Sequence, residues 1–213
     1  MDGAAAVDYI LANNIPGDFC EVGVGSGDFP CIFAKRLLEV SKPHRHLWLY
    51  DTFEGLTEPS AEDYTVADRQ IGDHHSAENV KLIWDSQKVS DGVNNWCRFS
   101  LQSVVTRLGN TGWPRRNSHF IKGDVRHSLR SAELPQHLAI LRLDTDFYDS
   151  TKVELEVLYD RLVPGGLLIL DDYFFWQGQR KAVNEFFAAK GILPAFAAVG
   201  NGKSATYIKS NCH

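Results

Sequence analysis

Asp18-Phe-Cys-Glu-Val-Gly-Val-Gly-Ser-Gly27 is the stretch on which the fold of this chain turns. Asp18 to Val24 is a compact, largely apolar run suited to a buried strand. Gly23, Gly25 and Gly27 then lead into Phe29 to Val40, where Ile32, Phe33, Leu37 and Val40 share one helical face. Strand, tight turn and helix in succession form a unit whose small residues let the backbone approach a ligand and whose first helical N–H groups point outward. The dinucleotide fingerprint GxGxxG needs a glycine where this chain has Asp28.

Working outward, Asp8 to Asn13 reads as a short helix stopped by Asn-Asn-Ile-Pro-Gly. A second strand runs through His46 to Tyr50 and ends on Asp51. The polar, weakly periodic stretch near 57–92 reads as an insertion or lid. Leu101 to Leu108 is helical, and His119 to Lys122 and Ala139 to Leu143 are strands. Thr151 to Arg161 is a helix, and Pro164-Gly165-Gly166 turns into the strand Leu167 to Leu170. Arg180 to Lys190 is a final helix, and Ala205 to Ile208 a closing strand. Strands alternating with helices predict a doubly wound α/β fold, its mostly parallel sheet covered on both faces, with ligands beyond the carboxyl ends of the strands.

The 213 residues and 44% apolar share suit a single domain spanning 1–213. A net charge of -5 with no block of Lys or Arg argues against a nucleic-acid partner and for a small molecule. Cys20, Cys31, Cys97 and Cys212 are scattered, which reads as reduced thiols. No basic leader and no long apolar run occurs, so a soluble, cytoplasmic protein without a membrane partner is expected. The aromatic run Tyr173-Phe-Phe-Trp176 reads as exposed and marks an oligomer interface or a lid contact.

Glu21 stands two residues before Gly23, and this E-x-G-x-G-x-G pattern resembles the adenosylmethionine-binding motif. By that resemblance Glu21 orients the methionine part of the cofactor and Gly23, Gly25 and Gly27 form the loop beneath it. Asp51 is placed to hold a ribose diol, as in any doubly wound nucleotide-binding unit. Asp124, in Lys122-Gly-Asp-Val, is placed to meet the adenine amino group, or else caps the helix that follows. The plain alternative for Glu21 is a solvated acid at a strand end.

Asp144 and Asp146 point to one side if the extended backbone continues past Leu143. Asp171 and Asp172 end the next strand, which a right-handed crossover lays beside the first. Carboxylates gathered so closely raise one another's pKa values unless a cation compensates, and a hard divalent ion such as magnesium is the simplest solution. The alternatives are acids that merely cap helices, or acids that meet a sulfonium directly.

The chain resembles the macrocin O-methyltransferase (TylF-like) family of class I adenosylmethionine-dependent methyltransferases. The resemblance rests on IPGDFCEVGVGSG, on YDTFEGL at Tyr50 to Leu56, on LRLDTDFYDST at Leu141 to Thr151, and on LVPGGLLILDDYFFWQGQRKAVNEFF at Leu162 to Phe187. It implies a Rossmann-like, seven-stranded sheet and magnesium-assisted methylation of a hydroxyl on a sugar or other natural product. It also implies that Asp144, Asp171 and Asp172 hold the metal while Asp146 is the general base. Tyr148, Tyr173, Trp176 and Arg180 either shape the acceptor pocket or simply pack, and His127 either adds a second acid or base or merely lines the helix start.

The sequence departs from the family in two places. Arg126-His-Ser-Leu129 replaces the segment usual after the third strand, and only seventeen residues precede the first strand, where relatives carry helices over the acceptor site. Two rivals follow: a nicotinamide-dependent oxidoreductase, which Asp28 and the acid cluster oppose, and a noncatalytic module that binds the cofactor without turnover.

Overall fold

The computed structural model describes residues 3–41, 44–66, 75–200 and 202–210; His74 and Cys212 lie outside them. In chain order the elements begin with helix α1 (Gly3–Ala12), strand β1 (Asp18–Val22), α2 (Asp28–Glu39) and β2 (Leu47–Asp51). There follow α3 (Ala77–Gln87), β3 (Lys88–Ser90), β4 (Val93–Asn94), α4 (Leu101–Gly109), β5 (Ser118–Lys122) and α5 (Val125–Ser131). The last third comprises β6 (Leu138–Leu143), α6 (Tyr148–Leu158), β7 (Leu162–Leu170), α7 (Gln177–Ala189), β8 (Ala197–Val199) and β9 (Ser204–Ile208).

Seven strands join in the order β5-β2-β1-β6-β7-β9-β8. The first five are parallel; β9 runs antiparallel to β7, and β8 antiparallel to β9. Successive connections leave β1 in opposite directions, toward β2 on one side and β6 on the other, so a crevice opens at their carboxyl ends. Side-chain alternation sorts the strands between two cores. Cys20, Val22, Trp48, Tyr50, Leu168 and Leu170 pack under α5, α6 and α7. Phe19, Leu47, Leu49, Ile140, Leu167 and Ile169 pack under α1, α2 and α4. No described helix is long and apolar enough to cross a membrane.

Several boundaries differ from those expected. Pro164-Gly165-Gly166 lies inside β7, where Leu138 pairs with Leu162 but Ile140 with Leu167; the extra residues bulge out, and Gly165 takes φ 79. The polar stretch near 57–92 contains a helix, α3, and the β3–β4 hairpin, with 67–74 outside the described residues. Only Val80 and Trp84 of α3 are buried, too few for a strong period. Its Ser76 cap, which accepts the Asn79 N–H, is the signal that marks the start. Tyr173 and Trp176 are each only 6% exposed, and Phe174 and Phe175 are partly buried against the core, so the run is packed into the fold and is not the exposed patch expected.

Helix α6 begins at Tyr148, three residues earlier than its own sequence suggests, because its cap comes from elsewhere. Asp63 Oδ1 accepts the Tyr148 N–H at 2.7 Å, and Oδ2 accepts the Ser60 N–H and hydroxyl. Gly178 makes room for that carboxylate, since a Cβ there would overlap Oδ1. Asp63 is itself buried. Asp63→Ala is therefore expected to cost about 2–3 kcal/mol, read as a lowered urea midpoint, through a lost cap and unsatisfied donors. A midpoint within error of the wild type would refute the capping role.

At the opposite end of the sheet His46 Nδ1 and His119 Nε2 lie 2.7 Å apart, and His119 stacks on Trp48 with centroids 3.8 Å apart. Burial, aided by the neighbouring His46, lowers the His119 pKa. Below the ordinary imidazole value of about 6.5 the unfolded chain then binds a proton that the folded one resists, so this contribution to stability is lost as pH falls through the folded value. The stability margin of the wild type over His119→Gln is expected to shrink between pH 7.5 and 5.5. A margin that is constant or grows on acidification would contradict the sign.

Candidate active site

The crevice is a cavity lined by Gly23, Gly25, Asp51, Asp144, Asp146 and Asp172, among others. The glycine loop forms its floor for steric reasons. Gly23 has φ 82, and a Cβ there would overlap the Asp144 carbonyl oxygen, so the loop after β1 lies flush against the end of β6. Gly25 has φ 52 and open space where a Cβ would point. Asp51 ties the loop to β2: its Oδ2 accepts the N–H groups of Val24 at 2.7 Å and Gly25 at 2.9 Å, and its Oδ1 that of Phe53 at 2.6 Å. Burial raises the Asp51 pKa, and those backbone donors oppose the rise.

The compensating cation of the acid cluster is a side chain. Arg142, 4% exposed and next to last in β6, bonds Glu21 and Asp144 through Nη1 and Asp171 through Nη2, the last two at 2.7 and 2.6 Å. Glu21 is its cross-strand neighbour, so both project to the α2 side, where the guanidinium lies 3.8 Å from the centroid of the Phe29 ring. Repulsion among the acids therefore does not by itself demand a metal ion. Glu21 is no solvated acid either. At 1% exposure its pKa is pushed by burial to about 8 although Arg142 opposes the shift, and its Oε2 has no partner. Burial works against the charge of Arg142 too, but the three carboxylates outweigh it and raise the guanidinium pKa further.

Asp144, Asp171 and Asp172 each place one carboxylate oxygen within 4.8 Å of the other two. Asp146 reaches the same cavity by a different route from the one expected. The extended backbone does not continue past Leu143. Asp146 takes φ 67, and the Phe147 N–H donates to the Thr145 carbonyl at 2.7 Å, closing a γ-turn. That turn sets Asp146 against Asp172. Burial first, and then the charges of Asp172 and Asp144, raise the Asp146 pKa far above the usual carboxylate range. Burial and Asp171 raise that of Asp172, while its hydrogen bond with Asp146 holds it down. The two carboxyls thus titrate as a pair, both with a raised proton affinity.

Other sequence candidates lie outside this cavity. Gly27, with φ 84, occupies the N-cap position of α2 beside Val104. Asp124 caps α5 and is chelated by Arg126, whose Nη2 lies 2.6 Å from Oδ2, in a neighbouring cavity. His127 is exposed on α5. The Tyr148 and Tyr173 hydroxyls donate to Glu185 and Asn184, Arg180 borders a separate surface pocket, and Trp176 packs on Phe147. Sequence reasoning passed over Cys97 and Phe99, which line the cavity, because no motif marks their loop. Burial and the nearby Asp146 raise the Cys97 thiol to about 11. Arg142 did carry a signal: an arginine inside an apolar central strand implies buried acidic partners.

The sequence profile of the macrocin-O-methyltransferase (TylF) family matches residues 3–207. The chain belongs to this family. Among macrocin O-methyltransferase relatives, the 8-demethyl-8-(2,3-dimethoxy-alpha-L-rhamnosyl)-tetracenomycin-C 4'-O-methyltransferase of Streptomyces olivaceus is 32% identical over 87% of this chain and 64% of its own length. The mycinamicin III 3''-O-methyltransferase of Micromonospora griseorubida is 31% identical over 87% of this chain and 66% of its own. The chain thus spans less than two thirds of the length of these curated relatives. Among solved structures, the O-methyltransferase NovP superposes with a TM-score of 0.80 at 22% identity, covering 98% of this chain and 78% of that one. That likeness establishes the shared Rossmann-like fold.

Proposed function

We propose that this chain transfers a methyl group from adenosylmethionine to a hydroxyl of a small, glycosylated natural product, with a divalent cation, magnesium, assisting. The observation that carries this reading is that the glycine loop and the acid cluster border one cavity, so a cofactor and an acceptor hydroxyl held there would meet. The family and the names of the relatives, which act on sugar-bearing antibiotics, support it.

The residues fit both groups. Gly25 faces open space, and Glu21 keeps an unpartnered buried oxygen beside the loop. Asp144, Asp171 and Asp172 offer the hard oxygen donors magnesium favours, each retaining an oxygen not bonded to Arg142. When bound, the sulfonium supplies an electrophilic methyl and the cation acidifies a chelating hydroxyl. Glu21, Gly23, Gly25 and Asp51 hold and orient the cofactor, which sets the line of attack. Asp146 Oδ takes the proton from the acceptor oxygen, and its high proton affinity suits that task.

The test is methyl transfer from radiolabelled adenosylmethionine to a panel of deoxysugar-bearing macrolides and aromatic polyketides, each with magnesium and with EDTA. Transfer that EDTA abolishes is expected. Incorporation indifferent to EDTA would remove the metal from the proposal, and no incorporation despite tight cofactor binding would favour a noncatalytic module.

A further inference from the structure

A chain of hydrogen bonds runs from the cavity wall, where Thr145 and Ser150 line it, into the core at Glu154. Ser150 Oγ lies 2.9 Å from the Phe147 carbonyl oxygen and donates to it. Thr145 Oγ1 lies 2.8 Å from Ser150 Oγ and 2.6 Å from Glu154 Oε1. A hydroxyl has one hydrogen. Ser150 spends its hydrogen on the carbonyl, and Thr145 shares its own between Ser150 Oγ and Glu154 Oε1, so the Glu154 carboxyl anchors the far end of the chain. Glu154, on α6, is fully buried, and burial raises its carboxyl to about 8, partly opposed by Thr145. Its Oε2 has no partner, a condition far less costly for a neutral acid than for an anion.

Both ends of this chain of bonds flank Asp146. Thr145 precedes it and Phe147 follows it, and these two close the γ-turn that gives Asp146 its left-handed backbone. Such a turn is intrinsically strained and persists only where its surroundings hold it. We propose that Glu154 is a positioning residue: it heads the chain Glu154–Thr145–Ser150–Phe147 and locks the turn that aims Asp146 into the cavity. The inference rests on the reading of Asp146 as the base.

The test compares Glu154→Leu, which removes the hydrogen-bonding partner of Thr145, with Glu154→Gln, whose amide keeps one, in the full chain. Native-state hydrogen exchange at the Phe147 amide needs no acceptor, and it is expected to accelerate by about tenfold or more in Glu154→Leu and to stay within about threefold of wild type in Glu154→Gln. On any acceptor found above, Glu154→Leu should lower kcat by about tenfold with little change in KM for adenosylmethionine, and Glu154→Gln should recover most of it. Should Glu154→Leu fail to fold, Thr145→Val against Thr145→Ser makes the same comparison. Equal exchange in Glu154→Leu and Glu154→Gln, or no acceleration in either, overturns the proposal. If no acceptor reacts, the methyl-transfer reading suffers while the exchange result still decides this one.

Discussion

Asp146→Asn is expected to lower methyl-transfer kcat by about 10²–10⁴-fold, the range for a lost general base, while affinity for adenosylhomocysteine stays within about threefold of wild type. The substitution isolates the proton-accepting oxygen. Asparagine tolerates the left-handed φ of 67 at this position, and its amide can still hydrogen-bond Asp172, as Asp146 does. The turn and the fold therefore survive. Single-turnover rates with the cofactor saturating report the loss directly. Unchanged turnover would remove Asp146 as the base and shift attention to Asp172.

Arg142→Met should cost about 3–5 kcal/mol of unfolding free energy, as expected when one partner of a buried ionic network is removed. The methionine fills much of the volume but leaves Glu21, Asp144 and Asp171 facing one another without their shared cation. Two of those three are candidate metal ligands, which gives the variant a second signature. Millimolar magnesium should raise its urea midpoint more than that of the wild type, because the ion replaces the missing charge. A loss below about 1 kcal/mol would mean that the acids simply protonate in the absence of the arginine. A full loss with no response to magnesium would argue that Asp144 and Asp171 do not bind the ion.

Much of this was legible in local sequence, and the exceptions share a cause. Glu21 to Gly27 could be read because a strand, a glycine turn and a helix are defined by residues adjacent in the chain. Asp171 and Asp172 could be placed beside Asp144 because crossover handedness is fixed. What escaped depends on partners remote in sequence. The early start of α6 is set by Asp63, 85 residues away. The pairing of Glu21 with Arg142 spans 121 residues, and without it a metal seemed the simplest answer to crowded carboxylates. The route by which Asp146 reaches the cavity escaped for a different reason: alternation along a strand predicts where a side chain points only while the backbone stays extended, and here it reverses within three residues of the strand's end.

The most direct measurement is calorimetric titration of the full chain with adenosylhomocysteine, with and without magnesium, beside titrations with oxidised and reduced nicotinamide dinucleotides. Saturable binding of adenosylhomocysteine at one site per chain, with no heat from either dinucleotide, is the expected result. Binding of a dinucleotide but not of adenosylhomocysteine would contradict the assignment of the Gly23–Gly27 loop and, with it, the methyl-transfer reading of the acid cluster.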